Sequence, residues 1–366
     1  MNTILITGAD GYLGRLLAEA LLINDSHQLF LWVRGNDEKT QSQKKEALSS
    51  LMAQYPERVR LFFGDLTDAS PFLKIDCNQI THIIHCAAVT HFNVAADEAD
   101  AINIGGTRKI LQFAAQCQHL QHFHQISTLY SSGLTAGAID AAPFKTVPEF
   151  ANHYERSKYE AEKLAYENFA HLPITVHRLA TVIAHNNDGK VIQYNVFHNT
   201  IRLLYNGLIS LLPGHADTPL YFVTGQFCQQ AILQQLTNPE AIGKTYHICF
   251  GINESLTLGE LIEVIFSTFA KDSLFLKRRI LKPLLVEKDA FLALAEAVDK
   301  GVGGALVQQA VNSIAPFADQ LFIRKVIHSS HYTDLTLSNH QQLVKAVCTQ
   351  LIRTQWGLRK NDENRI

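Results

Sequence analysis

Charge is scarce in this chain. Asp, Glu, Lys and Arg make up 18% of its 366 residues, against about 25% in an average soluble domain. What charge there is nearly cancels: 32 Lys+Arg face 34 Asp+Glu, a net of −2. No basic field therefore calls for nucleic acid. Cysteine is sparse and scattered, at positions 77, 86, 117, 228, 249 and 348. No pair forms a CxxC, and the spread excludes a disulfide framework. The six read as reduced thiols of a cytoplasmic protein. No apolar run approaches the ~18 residues of a membrane-crossing helix. Residues 1–7 lack a basic stretch and are cut short by Gly8, which reads against a leader peptide. Internal repeats and low-complexity linkers are missing too, so solenoids, coiled coils and disorder are excluded as the main architecture. What is abundant is apolar residues, 47% of the chain. At about 150 residues per domain, the length suits two domains, or one large domain with an appendage.

Strand and helix patterns alternate through the first half. Short β-branched or continuous apolar runs at 3–7, 28–34, 59–63, 81–86, 122–127 and 174–179 read as buried strands. Between them, helical spacing predicts helices over 13–23, over 95–117 and over 149–170, and one ending near 55 after a polar stretch from 35 to 45. The connections are too long for hairpins, so the pattern implies a parallel, doubly wound α/β sheet. After about residue 184 the rhythm changes. Helices are expected at 191–206, 226–236 and 257–270, with strands at 220–223 and 245–249. Thr257 with Glu260 forms a capping signal for the helix that follows. From 271 the tail reads as mostly helical, broken at Gly301-Val302-Gly303-Gly304. We expect a dinucleotide-binding part over 1–185 plus about 218–251. A smaller substrate-binding part takes about 186–217 and 252–366.

The first turn reads Thr7-Gly8-Ala9-Asp10-Gly11-Tyr12-Leu13-Gly14. Its glycines fall at every third position between a strand and a helix. Gly8 would allow the tight turn, Gly11 the close approach of backbone to a pyrophosphate, and Gly14 the packing of helix on strand. The helix N-terminus offers N–H groups and a positive dipole end to the phosphates. Asp10, Tyr12 and Leu13 belong to the same candidate cofactor turn. The second strand ends on Arg34. A ribose 2′-hydroxyl wants an acid there and a 2′-phosphate wants a cation, so Arg34 argues for NADP(H). Lys44 and Lys45 are candidates for a second phosphate contact.

Tyr154-Glu155-Arg156-Ser157-Lys158 places a tyrosine and a lysine on one helix face. A phenol of pKa about 10 is a poor proton donor-acceptor at neutral pH, and a nearby ammonium lowers it. Such a pair can protonate a carbonyl oxygen as hydride arrives. Thr128 ends the fifth strand, and such strand ends are where parallel sheets hold ligands. Thr128, Tyr154 and Lys158 are the candidate catalytic triad.

These motifs resemble those of the extended short-chain dehydrogenase/reductase superfamily. The residues that carry the resemblance are Thr7-Gly8-xx-Gly11-xx-Gly14, Gly64-Asp65-Leu66, His85-Cys86-Ala87-Ala88, Asn103-xx-Gly106-Thr107, Ile126-Ser127-Thr128 and Tyr154-xxx-Lys158. Within it the chain looks like the thioester reductase and fatty acyl-CoA reductase branch. That likeness rests on Val33-Arg34 before a polar helix, on His85 through Asn93, and on Ile126-Ser127-Thr128-Leu129-Tyr130. It is strong over about 1–185, faint to about 270, and then fails. It implies a Rossmann-type sheet with a smaller, mostly helical C-terminal part.

The resemblance also implies roles. Asp65 and Leu66 would flank the adenine, while Cys86, Ala87 and Ala88 would line the path of the ribose and phosphates. Asn103 would brace the site, and Leu179 would lie near the nicotinamide. Thr128 would bind the substrate oxygen, Tyr154 would be the acid/base, and Lys158 would hold the nicotinamide ribose. Ser127 joins the cofactor set. Two positions depart from the family pattern: Leu179 stands where proline is frequent, and Gln226 near a common acid. Both bear on substrate contacts and not on the triad. A homodimer through the helices at 95–117 and 149–170 would follow the family's habit.

The expected activity is NADPH-dependent reduction of a carbonyl: an acyl thioester to aldehyde or alcohol, or an aldehyde or ketone. A thioester would arrive on CoA or on a carrier protein. The alternatives are a nucleotide-sugar epimerase or dehydratase on the same scaffold, and a non-catalytic NADP(H)-binding sensor. His91, Phe92 and Tyr130 read as cleft residues. His82, His85, His119, His122 and His124 are not completed into a metal site by a carboxylate or cysteine pattern. Lys271, Lys277, Arg278, Arg279, Lys282 and Lys288 stand among leucines. They read as a solvated helix face, or as a peripheral contact with a membrane surface or with pantetheine phosphates.

Overall fold

In this computed structural model, residues 2–24, 27–301, 304–333, 335 and 339–357 are described. The first half contains β1 (Thr3–Thr7), α1 (Tyr12–Asn24), β2 (Gln28–Arg34), α2 (Glu38–Ala47), α3 (Ser49–Gln54), β3 (Val59–Gly64) and β4 (His82–His85). There follow α4 (Ala96–Ala99), a π-helical turn (Asp100–Gly105) and α5 (Gly106–Ala114), which together form one long helix. Then come β5 (His122–Thr128), β6 (Gly137–Ile139), α6 (His153–Asn168) and β7 (Ile174–Leu179). The expected strands of the first half are all present. The stretch from 35 to 45, read as a polar connection, is largely helical: Asp37 caps α2 by accepting from the Thr40 N–H at 2.9 Å. Its helix buries nothing, so apolar periodicity could not announce it. Helix α6 begins at His153 and not at 149, because Asn152 caps it by accepting from the Glu155 N–H.

With a strand from the second half, β12 (Thr245–Ile248), seven strands form one sheet in the order β12-β7-β5-β4-β1-β2-β3, every pair parallel. The chain winds outward from β1 in one direction and from β4 in the other. The C-terminal ends of β1 and β4 therefore flank the switch point where such sheets hold ligands. The inner strands are buried on both faces, which is why β1 and β2 read as nearly continuous apolar runs.

The second half supplies β8 (Thr181–Ala184), α7 (Val196–Tyr205), β9 (Leu211–Pro213), β10 (Pro219–Leu220), β11 (Phe222–Thr224), α8 (Gly225–Gln235) and β12 (Thr245–Ile248). After these come β13 (Leu256–Thr257), α9 (Leu258–Phe269), α10 (Ser273–Arg278), β14 (Leu284–Val286), α11 (Lys288–Asp299), α12 (Gly304–Ile314), β15 (Lys325–Ile327) and α13 (His340–Arg353). The Thr257–Glu260 capping box at α9 is present. Of the glycine break at 301–304, Val302 and Gly303 lie outside the described residues.

The tail is mostly helical, but two strands in it had no sequence signal. β14 pairs with β9, and β15 pairs with β6 some 190 residues earlier. Each is three residues long, too short for a period to show. A separate apolar core joins α7, α9 and α13 through residues such as Ile201, Phe269 and Val347. Among the described residues no helix is long and apolar enough to cross a membrane.

Candidate active site

The site is built from the ends of β1, β4 and β5 and the first turns of α6. At the end of β1 the backbone turns at Gly8 with φ +68°, and a Cβ there would meet the Ala87 backbone at 2.9 Å. A Cβ on Gly14 would stand 2.3 Å from the Gly8 carbonyl oxygen. The turn and the α1 contact both demand glycine. Gly11 lies exposed at the tip of the loop, and Leu13 is half-buried at the start of α1. The Tyr12 hydroxyl hydrogen-bonds His185 Nδ1 at 3.1 Å. Asp10 pairs with Lys44 on α2. That pairing sets Lys44 against the glycine turn. Arg34 itself is exposed at the end of β2, opposite Gly64 in register.

Asp65 lies beside it. Burial works to raise this carboxyl, but Thr67 donates to it from side chain (2.7 Å) and backbone (2.8 Å), and Asn36 donates at 3.0 Å. Together with the Arg34 charge these contacts hold it below the usual carboxylate range. Leu66 is buried against Gly106.

On β4, His85 is buried and hydrogen-bonds Thr7 at 2.7 Å and Thr107 at 3.2 Å. The Cys86 N–H donates to the Thr7 carbonyl, and the Ala87 N–H to the Thr7 hydroxyl. The run Cys86-Ala87-Ala88 is thereby laid beside the glycine turn. Burial pushes the Cys86 thiol up to about 12, which makes it unreactive.

The Thr128 hydroxyl lies near enough to the Tyr154 phenol to favour its ionised form. Thr128 Oγ1 also donates to the Leu179 carbonyl at 3.3 Å, which sets Leu179 beside the pair. Burial raises the Tyr154 phenol above its ordinary value. The Thr128 hydroxyl works against that rise, while Glu155 and Tyr130 add to it. Lys158, one helical turn on, donates to the Ile126 carbonyl at 2.7 Å. Burial lowers its ammonium to about 8. Its charge is felt at His85 and Cys86. The expected lowering of Tyr154 by Lys158 is thus not what governs this phenol; burial is.

Asn103 sits in the π-helical turn, the kind of irregularity that gathers at functional sites. Its amide exchanges hydrogen bonds with the Val89 backbone at 2.9 and 3.0 Å and donates to Ser157 Oγ at 2.8 Å. Ser157 in turn donates to the Tyr154 carbonyl at 2.8 Å. Asn103 therefore braces α6 between Tyr154 and Lys158, with Ser157 as a link that the sequence reading passed over.

Ser127 is not brought into the cleft. Its hydroxyl donates to Glu162, which forms a fully buried ion pair with Arg178 at 2.7 Å. Neighbouring residues on a strand point to opposite faces, so Thr128 and Ser127 cannot both serve the site with their side chains. His91 is exposed at the rim. Phe92 packs on Tyr130 (5.2 Å between ring centres), on Tyr154 (5.7 Å) and on Phe317 of the distant tail (6.0 Å).

A second cluster had no sequence signal. Glu155, next to Tyr154, accepts from Gln320 at 2.8 Å, from Asn152 at 3.1 Å and from the Ala151 N–H at 3.1 Å. Lys325 donates to Ser132 (3.0 Å), the Gly133 carbonyl (2.5 Å) and Gln320 (2.9 Å). Burial raises Glu155 to about 7 and lowers Lys325 to about 8, each opposed by the other's charge. Only the pairing of β15 with β6 brings residues this far apart in sequence together.

The family model described as "Male sterility protein" matches residues 6–232. Glycine betaine reductase ATRR of Emericella nidulans is 30% identical over 210 residues, 51% of this chain and 16% of that protein. Fatty acyl-CoA reductase 2 of Homo sapiens is 32% identical over 147 residues, 36% of this chain and 28% of that protein. The matches thus span less than a third of these relatives. Among solved structures, the terminal R domain from the myxalamid PKS-NRPS biosynthetic pathway superposes with a TM-score of 0.73 at 19% identity. That match covers 96% of this chain and 91% of that one. UDP-glucuronic acid 4-epimerase from Bacillus cereus, in complex with NAD, gives a TM-score of 0.57 at 20% identity, over 87% of this chain and 99% of that one. At such identities the likeness is one of fold.

Proposed function

The chain belongs to the male sterility protein family, in the thioester reductase and fatty acyl-CoA reductase branch of the extended short-chain dehydrogenases/reductases, and from that membership we propose that it is a cytoplasmic, NADPH-dependent reductase of acyl thioesters. The observation that carries the reading is the gathering of Thr128 at the end of β5, whose hydroxyl is felt by the Tyr154 phenol, with Lys158 one turn on along α6. A cradle closed to any Cβ at Gly8 and Gly14 fits a dinucleotide pyrophosphate, and the exposed Arg34 fits a 2′-phosphate. Asp65 and Leu66 would flank the adenine, Cys86, Ala87 and Ala88 the riboses and phosphates, and Lys158 the nicotinamide ribose.

When bound, the nicotinamide supplies a hydride to the carbonyl carbon. Thr128 and Tyr154 hold the carbonyl oxygen. Tyr154 gives it a proton as negative charge develops there. Burial keeps the phenol protonated across the neutral range but also weakens it as an acid, so the transfer is driven by the charge that develops on the oxygen. In the same reading the residues of the sheet, 1–185 and about 218–251, form the cofactor part, and the remainder receives the substrate. Aldehydes, and thioesters carried on CoA or on a carrier protein, are the substrates to screen. The chain would pair as a homodimer through α4–α5 and α6; light scattering that finds a monomer removes that part.

The test is fluorescence titration with NADPH and NADH, on wild type and Arg34→Ala, followed by acyl-CoA turnover. Selective NADPH binding lost in Arg34→Ala supports the reading. Tightly retained NAD with no thioester turnover would replace it with the epimerase or dehydratase alternative.

A further inference from the structure

We infer that segment 274–284 is a docking surface for an anionic lipid bilayer. Large apolar side chains are exposed singly or in pairs across most of the protein: Ile23, Leu73, Val147, the neighbours Ile192 and Tyr194, and Ile242. Such isolated residues need no explanation. Segment 274–284 is different. Within these eleven residues Leu274 and Leu276 are more than half exposed, Leu284 is 68% exposed and Leu281 is 84% exposed. Phe275 turns inward against Tyr205 and Phe269, and Ile280 and Pro283 also pack inward, so the segment is pinned to the core beneath. The leucines are therefore held outward on an anchored support.

Cations are interleaved with them. Lys277, Arg278, Arg279 and Lys282 are all exposed. Lys282 meets Glu263 at 2.6 Å, and Arg278 donates to Asn206 at 3.1 Å. The acid just before the segment, Asp272, is engaged by the Tyr205 hydroxyl and caps α10. Residues 274–284 hold four cations and no acid; Glu263 offsets Lys282, and the rest leave the segment positive in a chain whose net charge is −2.

This combination selects the partner. A second copy of the chain would bring the same positive face and be repelled. A protein partner is usually gripped by aromatic anchors, and the single aromatic here, Phe275, is buried. Leucines flanked by lysine and arginine match the boundary of an anionic bilayer, where acyl chains accept the leucines and headgroup phosphates the cations. Each cation near such a surface contributes about fivefold in binding.

The experiment is sedimentation of the whole protein with vesicles, independent of cofactor or turnover. Wild type is expected to pellet with vesicles of phosphatidylcholine mixed with phosphatidylglycerol, to stay in solution with phosphatidylcholine alone, and to be released by salt. Leu281→Ser/Leu284→Ser and Lys277→Gln/Arg278→Gln are each expected to weaken binding at least tenfold with an unchanged circular dichroism spectrum. Failure of wild type to bind the anionic vesicles overturns the inference, as does equal binding by both double variants. Capture of an acidic carrier protein by this segment, with no vesicle binding, would assign the surface to protein instead. Because NADPH affinity plays no part in this readout, the inference and the reductase reading stand or fall separately.

Discussion

The sheet region and the helical region bury their apolar residues by different means. In the first, seven parallel strands are flanked by helices, and the candidate catalytic side chains hang from a strand end or from the first turns of α6. In the second, α7, α9 and α13 pack around a common core, held at its edges by two-stranded pairings only two or three residues long. The first region exposes few large apolar side chains, while the second concentrates them between 274 and 306. A doubly wound sheet positions chemistry because its backbone ladder sets each strand end relative to its neighbours. A helical layer joined by short pairings is freer to vary its surface. The contact between them is concentrated at Lys325, Gln320 and Phe317, which reach from the tail to the helix that carries Tyr154.

Breaking the site on the sheet side should produce the largest effect. Tyr154→Phe removes the proton donor and keeps the ring packed on Phe92, so kcat should fall by roughly 10²- to 10⁴-fold. NADPH affinity should stay unchanged by fluorescence titration. Retained turnover would exclude Tyr154 as the acid.

Cutting the link between the regions comes next. Lys325→Met leaves Glu155 buried without its cation and should cost about 3 kcal/mol in urea unfolding. Lys325→Arg should recover part of that loss. A loss confined to the helical region's own unfolding would show that the link does not couple the two.

Acid sharpens the comparison by acting mainly on the sheet. His82, His122, His124 and His177 lie buried on adjacent strands, with His124 and His177 hydrogen-bonded at 3.0 Å. Burial lowers His82 and His122 to about 4 and His177 to about 3. The unfolded chain, with histidines near 6.5, then binds more protons than the folded one. Stability from this source is complete above pH 6.5 and is lost as pH falls toward 4. The slope is about 1.4 kcal/mol per pH unit for each histidine. Urea midpoints at pH 7 and pH 5.5 read it. The smallest change expected is in the helical region. Thr257→Ala removes the α9 capping box and should lower stability by about 1 kcal/mol in the same assay.

Most of the sheet region was legible because each of its strands is a local pattern. The runs at 3–7, 28–34 and 174–179 begin and end where the strands do. The polar helix α2 was missed for lack of a buried face. In the site, the glycine turn and the partners Thr128, Tyr154 and Lys158 were named from spacing and resemblance. The roles of Ser157, Glu155, Gln320 and Lys325 were not, because each acts through a partner remote in sequence. Ser127 and Thr128 share one motif, yet the pleat sends the Ser127 hydroxyl to Glu162 and the Thr128 hydroxyl to the Leu179 carbonyl, on the side of Tyr154.

By itself the sequence determined the alternation of strand and helix, the glycine turn at the end of β1 and the one-turn spacing of Tyr154 and Lys158. Periodicity, glycine and helical pitch are properties of neighbouring residues, so they are written in neighbouring letters. Tertiary structure alone decided that burial raises Tyr154, that Lys158 turns to the Ile126 carbonyl and that Lys44 pairs with Asp10. It also decided that Lys325 lies against the turn of Gly133. A charge responds to whatever surrounds it in space, and those surroundings come from strands and helices far away along the chain.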